Sequence, residues 1–95
     1  MIIAPTVGRV VWYTPVAGAP EGVNHTDQPF AALVTYVWGD RMVNLAVFDH
    51  NGVAQSRTSV PLVQEGDELP NGSPFCRWMP FQIGQAKRHD AEQKP

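Results

Sequence analysis

The sequence has little charge, and it lacks the features of several common functional classes. Only 17% of its 95 residues are charged, and the formal net charge of −2 offers no electrostatic attraction for duplex DNA or an anionic membrane. The longest apolar run is far shorter than a membrane span. Met1–Pro5 has neither a basic segment nor an apolar segment typical of a secretion signal. We therefore expect a cytoplasmic protein with no membrane and no duplex nucleic acid among its partners.

Cysteine is almost absent, since Cys76 is the single one. One cysteine excludes a disulfide framework within these residues and is typical of a reducing compartment. Its neighbours Phe75 and Trp78 favour a buried thiol over a reactive one.

Clusters of catalytic or metal-binding residues are also missing. Asp49 and His50 are adjacent, but neighbours on a strand point to opposite faces, so we interpret the pair as the polar end of a hairpin. His25 and Asp27 could share one face of a loop, yet two ligands make a poor metal site when Cys76 is remote. We predict that the protein is not an enzyme and that it holds no metal and no cofactor.

The stretch from Phe30 to Val60 has the pattern of two consecutive β-hairpins, and we expect the rest of the chain to pack on it. Phe30–Trp38 is rich in β-branched and aromatic residues, as strands are. It stops at Gly39-Asp40, a pair suited to a tight turn, and Met42–Phe48 forms the return strand.

The return strand Met42–Phe48 is largely apolar on both faces. Val43, Leu45 and Val47 share one face, and the alternate residues, which include Phe48, share the other. A strand of this kind is usually covered on both sides, by a second layer or by a partner subunit. This pattern predicts a homo-oligomer with a two-fold axis.

The second hairpin is predicted to turn at Asn51-Gly52. A two-residue type I′ turn needs positive φ at both central residues, and asparagine and glycine tolerate it. The strand after this turn is predicted over Val53–Val60. Pro61–Gln64 could continue it as an edge strand, because proline is tolerated at an edge.

The first strand is predicted over Thr6–Tyr13, with Gly8 marking a bulge or a close backbone approach. The next residues, Thr14–Pro29, are rich in proline and glycine and are predicted to form a long loop. We expect Ala17–Gly22 to accept insertions.

The last strand is predicted over Phe75–Met79, where Pro80 closes it. Gln85–Pro95 is polar and is predicted to be a frayed helix or a disordered tail. No segment has a sustained apolar stripe at helical spacing. The fold class is therefore all-β: one domain over residues 1–84, built as a small antiparallel meander or barrel of about five strands, followed by a flexible C-terminal tail.

Three stretches together carry a family resemblance: Pro5–Tyr13, Val43–Asp49 with Gly52, and Trp78–Gln82. They resemble a family of small proteins encoded by tailed phages and prophages, and the resemblance runs from Pro5 to about Gln85. It implies a viral accessory protein that acts in the bacterial host cytoplasm. It brings no active-site residues to this chain.

Aromatic and arginine side chains near the predicted strand ends are the best candidates for a binding role. Aromatic rings stack on planar ligands, arginines pair with phosphate, and small polar groups add hydrogen bonds. The candidate ligand-binding residues are Arg9, Trp12, Tyr13, Trp38, Arg41, Asn44, Arg57, Ser59, Arg77, Trp78 and Phe81. The alternative interpretation is that Trp12 and Trp78 belong to the core, that Tyr36 and Trp38 bridge core and surface, and that the arginines are solvated.

We place the predicted pocket where the first and last strands meet. Closure of a five-stranded sheet brings these strands side by side. The aromatic and arginine residues of the two segments are Arg9, Trp12, Tyr13, Arg77, Trp78 and Phe81. No glycine-rich phosphate loop opens a helix, so side chains would have to build any phosphate site.

Two functions remain open at this point. The first is a non-catalytic protein that sequesters a small anionic nucleotide-like ligand, used by the host as an antiviral signal. The second is a virion accessory piece or a protein-interaction module that inhibits a host protein, with Trp38 and Phe81 as anchors.

Overall fold

The computed structural model describes residues 1–16 and 28–93, with side chains described as far as His89. The predicted insertion site Ala17–Gly22 and the candidate ligands His25 and Asp27 lie outside the described residues. The described elements are β1 Val10–Thr14, β2 Phe30–Gly39, β3 Met42–Phe48, β4 Ala54–Val63, β5 Phe75–Arg77 and α1 Pro80–Gln93.

The five strands close into a barrel in the order β1-β2-β3-β4-β5. Consecutive strands pair antiparallel from β1 to β4, and β5 pairs antiparallel with β1, so the first and last strands lie side by side as predicted. The remaining pair, β4 with β5, is parallel. The all-β barrel is thereby confirmed, with one parallel seam that a simple meander lacks.

Alternate residues of the strands fill the barrel interior. Val43, Leu45 and Val47 of β3 are buried, which confirms the predicted inward face. Met42 is exposed, and Phe48 is half-buried on the outer face. The predicted homo-oligomer, which would cover this outer face, stays a prediction. The core cluster comprises Val11, Tyr13, Phe30, Ala32, Val34, Val43, Leu45, Val47, Val60, Leu62, Cys76 and Trp78.

The first strand is shorter than predicted because a turn occupies its start. Gly8 has a φ of 98°, and its N–H donates to the carbonyl of Val34 at 2.8 Å. Gly8 is thus a turn residue at positive φ, and an added Cβ would meet no atom within 4 Å, so neither the predicted bulge nor the predicted close backbone approach describes it. Regular pairing of β1 begins only at Val10, opposite Leu33.

The turn after β3 differs from the predicted two-residue type I′ turn. The N–H of Gly52 donates to the carbonyl of Asp49 at 2.9 Å, and Asp49 N–H donates to the carbonyl of Val53 at 3.0 Å. Gly52 has a φ of 83°, whereas Asn51 is not at positive φ. The loop is therefore a type I turn followed by a left-handed glycine, the usual three-residue hairpin connection.

The carboxylate of Asp49 completes this turn. It accepts hydrogen bonds from the N–H groups of Asn51 and Val53 at 2.9 and 3.0 Å. These bonds, the one from Val53 foremost, hold the pKa of Asp49 below its usual value. Asp49 beside His50 is thus the polar end of a hairpin.

Replacing Gly52 by valine should lower the free energy of unfolding by more than about 1 kcal/mol, because a β-branched residue is strained at positive φ. Gly39→Val is the matched control: Gly39 lies in a strand without positive φ, and an added Cβ would meet no atom within 4 Å. Urea denaturation measures both variants. Equal midpoints for Gly52→Val and the parent would contradict the described turn.

The strand β4 continues through Pro61 as far as Val63, so Pro61–Gln64 is not the edge strand that its proline indicated. Pro61 pairs with Met42 on one side, and its neighbour Leu62 pairs with Cys76 on the other. The carbonyl of Pro61 accepts a hydrogen bond from the Cys76 Sγ at 3.4 Å.

The C-terminal residues form a helix that begins at Pro80, inside the predicted domain, and covers most of the predicted tail. Proline is favoured at the first helical position. The side-chain oxygen of Gln82 accepts the N–H of Met79 at 2.8 Å, which caps the helix start. Gln82 Nε2 donates to the carbonyl of Val10 at 2.7 Å, and Ile83 packs on the core.

No helix among the described residues is long and apolar enough to cross a membrane.

Candidate ligand-binding site

Two of the candidate aromatic residues lie in the barrel interior. Tyr13 and Trp78 are each 2% exposed and belong to the core cluster, in agreement with the core interpretation of Trp78. Small barrels are filled by their own side chains, so a ligand site has to lie on the outside. Trp12, on the outer side of β1, is half-buried.

Gln64 lies at the end of the barrel where the parallel strands β4 and β5 both finish, which we call the closing end. There it connects Ile3, the β2–β3 turn at Asp40 and Trp78. It is the one buried polar residue in the described part of the chain. Its Oε1 accepts hydrogen bonds from the N–H of Ile3 at 3.0 Å and from the indole Nε1 of Trp78 at 3.2 Å. Its Nε2 donates to the carbonyls of Ile3 at 3.0 Å and Asp40 at 2.7 Å. Every polar atom of this amide is therefore bonded, as burial requires.

A cleft of about 440 Å³ lies beside Gln64, between the end of β4, the turn after it and the start of α1. Its size falls within the usual range of ligand pockets. The lining residues are Val63, Gln64, Glu65, Gly66, Asp67, Leu69, Arg77, Trp78, Pro80 and Ile83. Among the candidate residues, the cleft thus brings together Arg77 and Trp78.

Two carboxylates of the cleft are paired with cations. Arg41 donates to Asp67 through Nε at 2.9 Å and Nη2 at 3.3 Å. That pair, with the N–H of Gln64, holds the pKa of Asp67 below its usual value. Lys87 approaches Glu65 at 2.7 Å. Both pairs are partly exposed, so each contributes little to stability, but each offsets a negative charge.

Arg77 differs from these residues, because it makes no hydrogen bond or ion pair with any residue in the described part of the chain. It is exposed on β5, next to Val63 on one side and Trp12 on the other. The cleft therefore has one unpaired charge among its described lining residues, and that charge is positive.

The other candidate arginines and Phe81 lie apart from the cleft lining. Arg9 is exposed before β1, and Phe81 is 72% exposed at the start of α1. Arg41 reaches the cleft only through its pair with Asp67. Arg57 donates to the carbonyl of Ser56 and to the side chain of Gln55, at 2.6 and 2.9 Å.

A second group of candidate residues meets on the outer face of β2, β3 and β4. Tyr36 and Trp38 are 51% and 61% exposed, and their ring centroids lie 4.7 Å apart at an interplanar angle of 65°. Asn44 Oδ1 accepts the indole N–H of Trp38 at 2.9 Å and the backbone N–H of Ser59 at 2.7 Å. We call Tyr36, Trp38, Asn44 and Ser59 the aromatic platform.

Irregular pairing explains how the aromatic platform arises. The β2–β3 register shifts between Val34 and Tyr36, and the β3–β4 register shifts between Val43 and Leu45. A bulge places an extra residue on one strand and re-aims nearby side chains. In β4 this leaves Ser59 at a φ of 53°.

Cys76 is buried, which confirms the buried thiol that its neighbours predicted. Burial raises the pKa of Cys76 to about 12, so the thiol is not ionised near neutral pH and is no nucleophile. Among the residues that the structure describes, no group of three or more His, Cys, Asp or Glu side chains could hold a metal ion.

Gln64 of the cleft and Tyr36 of the aromatic platform were not among the candidate ligand-binding residues. Gln64 continues the inward alternation of Val60 and Leu62, and this spacing was the available signal for its burial. Tyr36 was assigned to the border of core and surface, and its spacing of two residues from Trp38 was the available signal that both rings share one face of β2.

Comparison with protein-family models, curated proteins and solved structures finds no match to this chain. The resemblance to tailed-phage proteins therefore stays a prediction. A function for the protein has to be inferred from the geometry of the cleft and of the aromatic platform.

Proposed function

We propose that the protein is a non-catalytic binding protein that holds a small anionic nucleotide-like ligand in the cleft beside Gln64. One observation carries this proposal: the single unpaired charge among the described lining residues is the guanidinium of Arg77. Guanidinium groups bind phosphate through paired hydrogen bonds.

The remaining surfaces of the cleft suit the rest of such a ligand. Leu69, Pro80 and Ile83 offer apolar contact for a base. Trp78 contributes little open ring surface because it is buried, so the base would rest on aliphatic side chains. The carboxylates of Glu65 and Asp67 carry their own cations, which limits their repulsion of a phosphate.

A binder of this kind would act by sequestration. The resemblance to tailed-phage accessory proteins suggests the context, a bacterial cytoplasm in which a nucleotide signal serves antiviral defence. The two-fold oligomer predicted from β3 would give two cleft copies per particle.

A second candidate is the virion accessory or protein-interaction module that inhibits a host protein. The observation that favours it is the exposure of Trp38 and Phe81, at 61% and 72%. Large exposed aromatics are enriched among the residues that dominate protein interfaces.

The test is a thermal-shift screen against cyclic dinucleotides and ADP-ribose derivatives. A ligand at a hundred times its dissociation constant stabilises the folded protein by about 2.7 kcal/mol. Arg77→Ala should weaken a hit by about tenfold to a hundredfold, because it removes a charge-assisted contact worth about 1.5 to 3 kcal/mol, and it should barely move the melting temperature of the free protein.

Arg9→Ala and Arg88→Ala are matched controls, since both arginines are exposed and neither lines the cleft. They should bind as the parent does. A screen without any stabilising ligand, or an Arg77→Ala variant with full affinity, would contradict the proposal and leave the interaction module as the better explanation.

A further inference from the structure

The outer face of β2, β3 and β4 has exposed rings at one end and a recess at the other. The rings are Tyr36 and Trp38 of the aromatic platform. The recess, which we call the notch, is a cavity of about 330 Å³ between the start of β2 and the turn after β3, with Ala31 and Phe48 among its lining residues. We infer that two copies of the chain form a dimer through this face, with the rings of each copy in the notch of the other.

Strand register places the rings and the notch on the same face. Asn44 and Phe48 alternate with the buried residues of β3, so both point outward. Tyr36 pairs with Asn44. Ala31 alternates with the buried residues at the start of β2, so it points outward as well. Trp38 follows Ala31 by seven residues, which is about 23 Å along a strand.

A two-fold axis perpendicular to the strands makes this face complementary to itself. Such an axis reverses the strands of the second copy, so each end of the face meets the opposite end. Trp38 then lies over the partner's Ala31, and the reverse contact is identical. The midpoint between these two residues lies at the level of Leu45. The outward neighbours of Leu45 are Asn44 and Ala46, and neither is bulky, so the two faces can approach closely.

The notch is large enough to hold the rings. Its volume of about 330 Å³ falls within the range of pockets that enclose small-molecule ligands. Pro29, Ala31 and Phe48 give it an apolar lining beside its polar residues. The indole of Trp38 is already held by its hydrogen bond to Asn44 at 2.9 Å, so it loses little conformational entropy when it docks.

Charge on this face does not oppose a second copy. The one charged residue of β2, β3 and β4 is Arg57. It pairs with the buried Leu45, so it lies on the other face of the sheet. The outer face is therefore neutral, although the chain has a formal net charge of −2, and two copies can meet here without like charges in contact.

The size of the face makes the rings decisive for association. Three strands and the ten residues of β2 give a flat area of about 14 by 33 Å, or about 460 Å² per copy. A stable interface buries about 800 Å² per partner, so flat contact alone falls short. Rings that enter the notch add contact area on both copies, and aromatic anchors in pockets dominate interface energies. We therefore expect Trp38 to determine whether the dimer forms.

Sedimentation equilibrium over a range of protein concentrations tests the interface. The parent should form a dimer of twice its chain mass of 10.5 kDa. Trp38→Ala should weaken the association constant by at least about tenfold, because it removes the aromatic anchor. Phe81→Ala is the matched control, because Phe81 is a similarly exposed aromatic residue on α1. Its association constant, and that of the cleft variant Arg77→Ala, should equal that of the parent. A parent that stays monomeric at millimolar concentration, or a Trp38→Ala variant with full association, would overturn the inference.

A mixture of two variants tests the reciprocal contact. Ala31→Arg places a long charged side chain in the notch and should also weaken association, while circular dichroism should show an unchanged fold because Ala31 is exposed. When this variant meets Trp38→Ala, its intact Trp38 can enter the intact notch of the other chain. The second contact lacks its ring and so tolerates the arginine. Dye-labelled Trp38→Ala should therefore form a heterodimer with Ala31→Arg at a concentration where neither forms a homodimer, and failure to do so would contradict the reciprocal contact.

Single added cysteines determine the direction of the axis. Ala46 is one residue from the level of Leu45, so its own copy lies about 12 Å away when the two sheets are about 10 Å apart, whereas Met42 lies more than about 20 Å from its own copy. A thiol cross-linker about 13 Å long should join Ala46→Cys into dimers and leave Met42→Cys monomeric. The parent is the control, because its Cys76 is buried. Equal cross-linking of Met42→Cys, as an axis along β3 would give, or none of Ala46→Cys, would overturn the inference.

Discussion

Replacing Gln64 by leucine is expected to lower the free energy of unfolding by about 2 to 4 kcal/mol, measured by urea denaturation. Leucine is close in volume, so the effect reports lost hydrogen bonds and not a cavity. The substitution removes four bonds and leaves the indole N–H of Trp78 buried without its acceptor. It also releases Ile3 and the Asp40 carbonyl from the closing end of the barrel.

The isosteric Gln64→Glu variant is the control for shape. An ionised carboxylate still accepts from Ile3 and Trp78, but it cannot donate to the carbonyls of Ile3 and Asp40. We expect this variant to be destabilised near neutral pH and partly rescued when the carboxyl group is protonated and can donate one bond. If Gln64→Leu unfolds with the midpoint of the parent, the amide does not hold the closing segments together.

The central hairpins could be predicted from the sequence because their information is local. The alternation of Val43, Leu45 and Val47 fixes which face of β3 points inward, and the barrel buries that face. The turn glycine was also identified, although the turn has three loop residues. Turn type depends on where pairing of the flanking strands stops, here at Phe48 and Ala54, and the dipeptide alone does not specify that.

The start of α1 was missed because tertiary contacts support it. Met79-Pro80-Phe81-Gln82 contains a proline at the first helical position and a capping glutamine, but the helix has no strong apolar stripe. Its anchors are the bond from Gln82 to Val10 and the packing of Ile83. Val10 is far from Gln82 in sequence, so this contact could not be inferred locally.

The candidate site was predicted in its residue types but not in its arrangement. Alternation placed Tyr13 with Val11 on one face, and closure of the barrel turned that face inward. Arg77 and Trp12 came together as expected because β1 and β5 pair. Bulges then grouped Trp38, Asn44 and Ser59 into the platform, and a bulge changes the register in a way that periodicity does not reveal.

Trp78→Ala is expected to give the largest loss of stability, about 3 to 5 kcal/mol, because it removes the largest fully buried side chain. That loss is a large fraction of the stability of an ordinary small domain. The affinity of the cleft for its ligand should also fall in this variant, since Trp78 and its partner Gln64 both line that cavity. Far-ultraviolet circular dichroism is the suitable measurement, because Trp12 and Trp38 remain and would dominate fluorescence.

A double-mutant cycle separates the packing of Trp78 from its hydrogen bond. Trp78→Phe keeps an aromatic ring but removes the indole donor that lies 3.2 Å from Gln64. In the Gln64→Leu background this removal also eliminates the unsatisfied N–H, so the double variant should be more stable than the sum of the single losses predicts, by about 1 kcal/mol or more. Additivity within about 0.5 kcal/mol would mean that Trp78 acts through packing alone. The closing end of the barrel would then depend on the bonds of Gln64 to Ile3 and Asp40.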